Sequence, residues 1–294
     1  MFPKNFKYFA PKSANEAAVL LTRYGPEAKV LAGGMSLIPI MKLRLMSPSY
    51  IIDVSRISAL EYIREARGTL HIGALTRHRM LETSELLKQK LDLIPQTASL
   101  IGDPQVRNMG TIGGSLSHAD PRGDWGSVAL AVRAKMKVAG RTKRVIPADD
   151  FFVDTFASAL KPNELLTEIQ IPIPPPRSGG AYAKLERRTG DFATVGVAAQ
   201  LSVDRNGVCS YVGIGLTSLG PTNLRAEKAE SLLLDKELTS GIIDDAAERA
   251  SEDAKPASDP QGASAEYKKA MVRVFTKRAL NSALKKAMGS EKKW

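Results

Sequence analysis

The chain has 294 residues and a formal net charge of +11, and 43% of its residues are hydrophobic and 25% charged. This composition is typical of a folded globular protein and excludes a disordered, collagen-like or coiled-coil chain, while the length predicts about two domains or one large one. One cysteine, Cys209, and three histidines exclude a disulfide framework, a cysteine-rich zinc site and an iron–sulfur cluster bound by this chain alone. Any redox chemistry therefore needs a bound organic cofactor or the metals of a partner.

The charge pattern and the hydropathy limit the expected partners and location. Aromatic residues make up 6% of the chain and the basic residues are scattered, so we expect no nucleic-acid partner. No apolar run approaches the roughly 20 residues that cross a bilayer, so we expect no membrane insertion. Residues 1–7 hold no apolar segment of signal-peptide length, which predicts a cytoplasmic protein.

The N-terminal part of the sequence indicates a β-loop-α-β unit. Ser13 stands at the capping position of a predicted helix that ends at Gly25. Residues 28–31 and 50–54 have the apolar composition of short buried strands. Between them, a glycine pair leads into a predicted helix over residues 36–45, with a proline in its first turn.

The middle of the sequence predicts a strand over residues 69–73 and mainly helix over residues 76–100. Residues 102–126 are polar and rich in glycine, and we predict a long loop there. Because long loops inside a domain are usually functional or disordered, this segment is a candidate site.

A proline-rich segment around residues 172–176 predicts the main domain boundary. The sequence thus divides into residues 1–176, with subdomains over about 1–55 and 56–176, and residues 177–294. In the second part we predict two strands, joined by an Asn206-Gly207 turn, and three helices. These elements cover residues 192–203, 208–217, 224–234, 242–254 and 264–288.

Two glycine-rich loops are the first candidates for chemistry. Residues 31–39 run from a strand through Gly33 and Gly34 into a helix, and residues 110–115 hold a second glycine pair flanked by hydroxyl groups. Glycines let backbone N–H groups approach a phosphate, and two such loops could clamp a diphosphate. Neither loop is a Rossmann or Walker motif, and each alone is also compatible with an ordinary tight turn.

A second candidate is a cluster of polar side chains that follows the second glycine pair. Ser115, His118, Asp120 and Asp124 could in principle support hydrolysis, with a serine nucleophile and a histidine base. However, Ser117 occupies the position of the last glycine in a nucleophile elbow. We therefore expect a structural or ligand-contacting role, and we assign no catalytic residue and no metal ligand.

Taken together, the ordered motifs resemble one family, the FAD-binding medium subunits of molybdenum hydroxylases, which include carbon monoxide dehydrogenase and aldehyde or glyceraldehyde oxidoreductases. The resemblance covers nearly the whole chain. It is carried by Ala32-Gly33-Gly34-x-Ser36-Leu37-x-Pro39-x-Met41-Lys42, Thr111-Ile112-Gly113-Gly114-Ser115, His118-Ala119-Asp120-Pro121, Arg187-Arg188-x-x-Asp191-Phe192-Ala193 and Ser264-Ala265-Glu266-Tyr267-Lys268. It implies an α+β fold: a vanillyl-alcohol-oxidase or PCMH-type FAD-binding domain of two subdomains, plus a C-terminal α/β flavoprotein domain.

The resemblance also implies which residues contact FAD. Two loops would hold the diphosphate through backbone N–H groups, and five further positions would border the rest of the cofactor or fall where the family has an apolar or aromatic contact. The first loop is Val30, Leu31, Ala32, Gly33, Gly34, Met35, Ser36 and Leu37; the second is Thr111, Ile112, Gly113, Gly114 and Ser115; the others are Ile101, Asp124, Lys184, Phe192 and Leu166, which matches an adenine-pocket position.

Three positions of the sequence depart from the family pattern. Met35 stands where many members have histidine or glutamine, Arg122 where a small residue is common, and Phe192 where tyrosine is frequent. Backbone contacts would tolerate the first change. The second changes the expected acceptor surface, and the third removes a hydroxyl group near the flavin ring.

The function implied by the resemblance is electron transfer within a heteromeric enzyme. A large molybdopterin-binding subunit and a small subunit with two-iron two-sulfur clusters would be the partners, in a heterotrimer or a dimer of heterotrimers. Electrons would pass from the clusters through non-covalent FAD to an external acceptor. A self-sufficient FAD-dependent oxidase, with a substrate pocket in its C-terminal domain, is the alternative.

Overall fold

The structure is a computed structural model that describes residues 2–259 and 262–289. Its helices are α1 (Ala14–Tyr24), α2 (Leu37–Lys42), α3 (His78–Thr83), α4 (Glu85–Lys90), α5 (Leu93–Ser99), α6 (Pro104–Met109), α7 (Ile112–His118), α8 (Asp124–Ala131), α9 (Glu227–Leu233), α10 (Ser240–Asp253) and α11 (Ala265–Ala287). Its strands are β1 (Lys7–Phe9), β2 (Ala28–Leu31), β3 (Tyr50–Asp53), β4 (Ile63–Ala66), β5 (Thr69–Gly73), β6 (Lys135–Ala139), β7 (Arg144–Pro147), β8 (Phe152–Asp154), β9 (Ala157–Ser158), β10 (Leu165–Pro172), β11 (Ser178–Leu185), β12 (Val195–Val203), β13 (Cys209–Thr217) and β14 (Leu224–Arg225).

The first sheet is parallel and has the order β1-β3-β2. As predicted, the Ser13 side chain caps α1 by accepting the N–H of Glu16, and Gly25 ends the helix with a φ of +54°. The predicted helix over residues 36–45 is shorter than expected, because Arg44 takes a left-handed φ of +59° after α2 ends. The first glycine loop therefore connects an edge strand to one short helix.

The second sheet is antiparallel, with five strands in the order β4-β5-β10-β6-β7. Helices α3, α4, α5, α7 and α8 contribute buried residues to its core, around the fully buried side chains of Trp125, Phe151 and Met136. The prediction of a long loop over residues 102–126 is wrong, since α6, α7 and the start of α8 occupy it. Asp103 and Thr111 each cap a helix there, and these caps override the high glycine content.

The third sheet is antiparallel, with the order β11-β12-β13-β14, and α9, α10 and α11 share its core. The predicted hairpin between β12 and β13 is confirmed, with Gly207 at a φ of +80°. The predicted helix over residues 224–234 begins later, because Leu224 and Arg225 pair with β13 as a short strand. Within the described ranges, no helix is long and apolar enough to cross a membrane.

Helix α8 joins the second and third sheets. A Cβ atom on Gly213 or Gly215 would overlap the carbonyl oxygen of Ala131 or Ser127, so both glycines of β13 permit the close approach of α8. The polypeptide on either side of the predicted boundary thus packs together through a strand and a helix.

Candidate functional site

The structure brings the two predicted glycine loops into direct contact. A Cβ atom on Gly33 would overlap the carbonyl oxygen of Met109 and lie 2.8 Å from the Cα of Gly110. On the other side, a Cβ atom on Gly114 would lie 3.8 Å from the Cβ of Ala32. Because only glycine permits this approach, the loops pack backbone to backbone and form one surface.

The first loop presents a row of unused donors. From residue 32 to residue 37, no backbone N–H donates a hydrogen bond to an acceptor in the described part of the chain. Gly34 has a φ of +74°, and the Ser36 side chain makes no capping bond to α2. Successive N–H groups around a left-handed residue form a concave site for an anion. The loop therefore has the donors that a phosphate group needs.

The second loop differs, because its N–H groups from residue 112 to residue 115 all have acceptors inside the protein. The first two donate to the carbonyl oxygens of Thr76 and Ala74, at 3.0 and 2.9 Å. The third donates to the Thr111 hydroxyl at 3.1 Å, and the fourth to the Thr111 carbonyl at 3.0 Å. The backbone donors of this loop are therefore already used inside the protein.

A buried histidine, His78, packs against the second loop. The backbone N–H of His78 donates to the Gly110 carbonyl at 3.0 Å, and its Nδ1 accepts the indole N–H of Trp125 at 3.1 Å. Burial, together with the Arg107 charge, lowers the pKa of His78 to about 4. The imidazole is therefore neutral near pH 7, and it acts as packing and as a hydrogen-bond acceptor.

A buried charged cluster joins α8 to β11. Asp124 accepts from the Tyr182 hydroxyl at 2.6 Å and from the Lys184 Nζ at 3.2 Å. The Lys184 side chain is only 3% exposed, and its Nζ also lies 3.5 Å from Glu186. Burial raises the pKa of Asp124, against the lowering effect of Lys184, and it raises that of Tyr182 well above 10. Two predicted residues, Asp124 and Lys184, thus form one ion pair.

Two apolar residues from the predicted site lie in different surroundings. Ile101 is half-buried beside this ion pair, since the carbonyl of the preceding Leu100 accepts from Lys184 at 3.1 Å. Leu166 lies on β10, is 3% exposed and packs in the core of the second sheet. Its role in an adenine pocket stays a prediction.

Phe192 and Arg122 form an exposed pair at the surface. The Arg122 guanidinium lies over the Phe192 ring, 4.9 Å from its centroid, and the phenylalanine is 54% exposed. Such a cation–π contact orders both side chains at the surface. Met35 is also exposed.

The alternative of a hydrolytic cluster receives no geometric support. In the described part of the chain, Ser115 makes no hydrogen bond to His118, whose ring instead lies 5.0 Å from that of Phe156. Asp120 accepts the backbone N–H of Arg122 at 2.9 Å. Over the same described residues, no group of three His, Cys, Asp or Glu side chains could hold a metal ion.

Sequence reasoning missed Tyr182, which links Asp124 to the hydroxyl of Thr217. Tyr182 and Lys184 are two positions apart on one strand, so their side chains lie on the same face, and this could be predicted from the sequence. The contact of Tyr182 with Asp124 on α8 could not be predicted, because no local pattern connects residues that are 58 positions apart.

Comparison with known proteins agrees with this geometry. Residues 4–174 match the family model described as "FAD binding domain in molybdopterin dehydrogenase", and residues 180–283 match "CO dehydrogenase flavoprotein C-terminal domain". The carbon monoxide dehydrogenase medium chain of Hydrogenophaga pseudoflava is 44% identical over 284 residues, which cover 96% of this chain and 98% of that protein. The glyceraldehyde dehydrogenase medium chain of Sulfolobus acidocaldarius is 34% identical, over 95% and 98% of the two chains.

Solved structures show the same similarity in three dimensions. Carbon monoxide dehydrogenase from Hydrogenophaga pseudoflava matches with a TM-score of 0.93 and 44% identity, over 96% of this chain and 98% of that one. Quinoline 2-oxidoreductase from Pseudomonas putida 86 matches with a TM-score of 0.91 and 31% identity, over 98% and 100%. These matches confirm the resemblance and the fold class predicted from the motifs. The chain therefore belongs to the FAD-binding medium subunits of the molybdopterin dehydrogenase family.

Proposed function

We propose that this chain is the FAD-binding electron-transfer subunit of a heteromeric molybdenum hydroxylase, of the aldehyde oxidoreductase or carbon monoxide dehydrogenase type. The observation that carries this proposal is the row of unused N–H donors over residues 32–37, packed against a second glycine loop. A diphosphate supplies the negative charge and the acceptor oxygens that such donors require. The medium-chain relatives favour the subunit over a self-sufficient oxidase.

We assign the two loops different parts in holding FAD. Residues 32–37 would bind the diphosphate through their backbone N–H groups. The second loop would contribute the hydroxyl groups of Thr111 and Ser115, because its N–H groups from residue 112 to residue 115 already have acceptors. Val30 and Leu31 would fix the direction of the first loop, since β2 ends there.

The remaining predicted residues would lie along the rest of the cofactor. Asp124 and Lys184 would hold polar groups of the nucleotide or the ring, and Ile101 would give apolar contact beside them. Leu166 would contact the adenine, and Phe192 would lie near the ring. When bound, FAD supplies the redox chemistry; these side chains orient it and exclude water.

We further propose that the flavin is bound non-covalently. None of the three histidines stands free at the contact of the two loops. His78 is buried against Trp125, His71 lies 3.2 Å from Glu168 on the second sheet, and His118 lies against Phe156. A covalent bond would require one of these rings to leave its present contacts.

The partners would be a large molybdopterin-binding subunit and a small iron–sulfur subunit, in a heterotrimer that pairs into a dimer of heterotrimers. Substrate oxidation would take place on the large subunit. We also propose the domain limits 1–176 and 177–294, which the extended segment before β11 supports, and a cytoplasmic location, which cell fractionation would test.

The experiment is purification of the tagged full-length chain from its natural host under mild conditions, followed by acid precipitation. We expect visible flavin bands, FAD in the acid supernatant, and iron and molybdenum in fixed ratio to the chain. Flavin that stays in the pellet would refute non-covalent binding. A colourless preparation without either metal would contradict the proposed function. Native mass measurement would test the dimer of heterotrimers.

A further inference from the structure

Arg122 and Phe192 line a cleft of about 550 Å³ to which both domains contribute residues. Arg122 belongs to the turn before α8, and Phe192 belongs to the loop between β11 and β12. Glu186 lines the same cleft, and its carboxylate lies 3.5 Å from the Lys184 Nζ. Arg122 also stands two residues before Asp124 in the sequence. The pair therefore lies beside the buried ion pair that we place along the cofactor.

The Phe192 side chain has little else to fix its position. Within the described ranges it belongs to none of the three apolar cores and stacks on no other aromatic ring. Its backbone N–H donates to no acceptor in the same ranges, and more than half of the residue is exposed. The Arg122 guanidinium, 4.9 Å from the ring centroid, is therefore in a position to order this side chain.

The turn that carries Arg122 is fixed by contacts from both domains. The Arg122 backbone N–H donates to the Asp120 carboxylate at 2.9 Å, and the same carboxylate oxygen lies 3.5 Å from the Arg122 Nε. The Ser218 backbone N–H donates to the Pro121 carbonyl at 2.8 Å, and the Asn223 side chain donates to that carbonyl at 3.3 Å. These bonds hold the backbone of the turn, and Asp120 restrains the guanidinium that lies over the ring.

Arg122 and Phe192 are also two of the positions at which the sequence departs from the family pattern. A tyrosine ring can be anchored by a hydrogen bond of its hydroxyl group, which phenylalanine lacks. A guanidinium over the face of the ring restrains a phenylalanine without any hydrogen bond. The small residue that is common at position 122 would make no such contact. The two departures therefore compensate for each other.

We propose that Arg122 is a positioning residue for the flavin ring, because it holds Phe192 in place and replaces the anchor of the missing hydroxyl group. This inference rests on the proposed function, in which Phe192 lies near the flavin ring. An aromatic side chain that is already ordered loses less conformational freedom when FAD binds, so the affinity for FAD rises. A direct contact of Arg122 with FAD is the competing explanation. The two explanations differ in whether the effect of Arg122 depends on Phe192.

The first test is FAD binding to the flavin-depleted complex, measured by titration calorimetry. Arg122→Ala should raise the dissociation constant about two- to five-fold, as expected for an exposed cation–π contact, with an unchanged melting temperature. Arg122→Met, which keeps a long side chain without the charge, should show the same loss. An unchanged dissociation constant in both variants would overturn the proposal.

A second cation–π pair of the chain provides the matched control. The Arg278 guanidinium lies over the Phe275 ring, 5.1 Å from its centroid, and neither residue lines the cleft. Arg278→Ala should therefore leave the dissociation constant of FAD unchanged. A loss equal to that of Arg122→Ala would overturn the proposal, because the effect would not be specific to the cleft.

The second test shows whether Arg122 acts through the Phe192 ring. In the Phe192→Ala background, Arg122→Ala should cause no further loss of affinity, because the ring that it orders is absent. In the Phe192→Tyr background, Arg122→Ala should raise the dissociation constant less than about two-fold, because the hydroxyl group offers a second anchor. A loss as large as that in the wild type, in either background, would overturn the proposal.

These results are separable from a failure of the proposed function. If the flavin-depleted wild-type complex does not rebind FAD, the proposed function fails, and the role of Arg122 fails with it. If the wild type rebinds FAD and the two Arg122 variants bind it equally well, only the role of Arg122 is wrong.

Discussion

The two glycine loops have similar sequences and opposite hydrogen-bonding states. In the first loop, the backbone N–H groups over residues 32–37 have no acceptor among the described residues, whereas those over residues 112–115 are all satisfied internally. The first loop follows an edge strand and precedes a short helix. The second is the start of α7 and is docked on the segment around Ala74 and Thr76.

The two hydrogen-bonding states show that a glycine pair can serve two purposes, close packing or the exposure of backbone donors. In the second loop, a Cβ atom on Gly113 would lie 2.5 Å from the Cβ of Ala74, so the glycine serves packing. In the first loop, Gly34 supplies a left-handed turn that exposes donors, while Gly33 permits contact with the second loop. We infer that the second loop is a platform and that the first binds the ligand.

The largest expected effect comes from separating the loops. Gly33→Val places a side chain against the Met109 carbonyl, and we expect a loss of about 1–3 kcal/mol in the free energy of unfolding and at least about a ten-fold loss of bound FAD. The flavin content per chain measures the loss of FAD, and the melting temperature reports the loss of stability. Gly241→Ala is the control, because the nearest atom to its Cβ is 4.0 Å away, and it should retain flavin. A normal flavin content in Gly33→Val would show that FAD binding does not depend on the contact between the two loops.

The stability of the second loop, which His78 supports, should also depend on pH. The pKa of this residue is about 4 in the folded chain, against an ordinary 6.5, so between these values only the unfolded chain binds the proton. Stability should therefore fall as the pH drops from 6.5 to 4, by about 3 kcal/mol at most. Denaturation of the wild type and of His78→Gln across this range measures the difference. Parallel pH profiles would contradict a neutral His78.

A smaller effect should follow from removing the cap of the second loop. Thr111→Val deletes the hydroxyl that accepts the Gly114 N–H, which leaves that donor unsatisfied. We expect a loss of about 1 kcal/mol in the free energy of unfolding, with Thr111→Ser close to the wild type. If Thr111→Val unfolded like the wild type, the second loop would not depend on this cap.

The smallest effect on stability is expected in the first loop. The Ser36 side chain makes no capping hydrogen bond, so Ser36→Ala should change the free energy of unfolding by less than about 0.5 kcal/mol. The same change should weaken FAD binding by about 1 kcal/mol, because it removes a free donor beside the ligand. Titration calorimetry on flavin-depleted complex measures the affinity. A stability loss as large as that of Thr111→Val would make the two loops equivalent.

Much of the fold was predictable because local signals and packing agree. The strands at residues 28–31 and 69–73 have the predicted limits, and the cap at Ser13 and the turn at Gly207 appear as expected. The prediction for residues 102–126 was wrong because their glycines suggested a loop. Helix caps at Asp103 and Thr111, together with burial of α7 and α8, outweighed that composition.

The sequence predicted two glycine loops, which the structure brings into contact, but it did not predict their hydrogen bonds. The motifs around Gly33 and Gly113 both match the pattern of the same family. They contain no information about which backbone N–H groups already have an acceptor inside the protein. That distinction depends on the chain around Ala74, which lies about forty residues from each loop along the sequence and accepts the N–H of Gly113. The link from Asp124 to Tyr182 is similarly long-range.

The most direct test of the different roles of the loops is hydrogen exchange of backbone amides in the purified complex, with FAD and after its removal. We expect FAD to slow exchange strongly over residues 32–37, where the donors are otherwise free, and to change it little over residues 112–115, which are already bonded. Exchange over residues 32–37 that is the same with and without FAD, or protection that appears only over 112–115, would contradict the account.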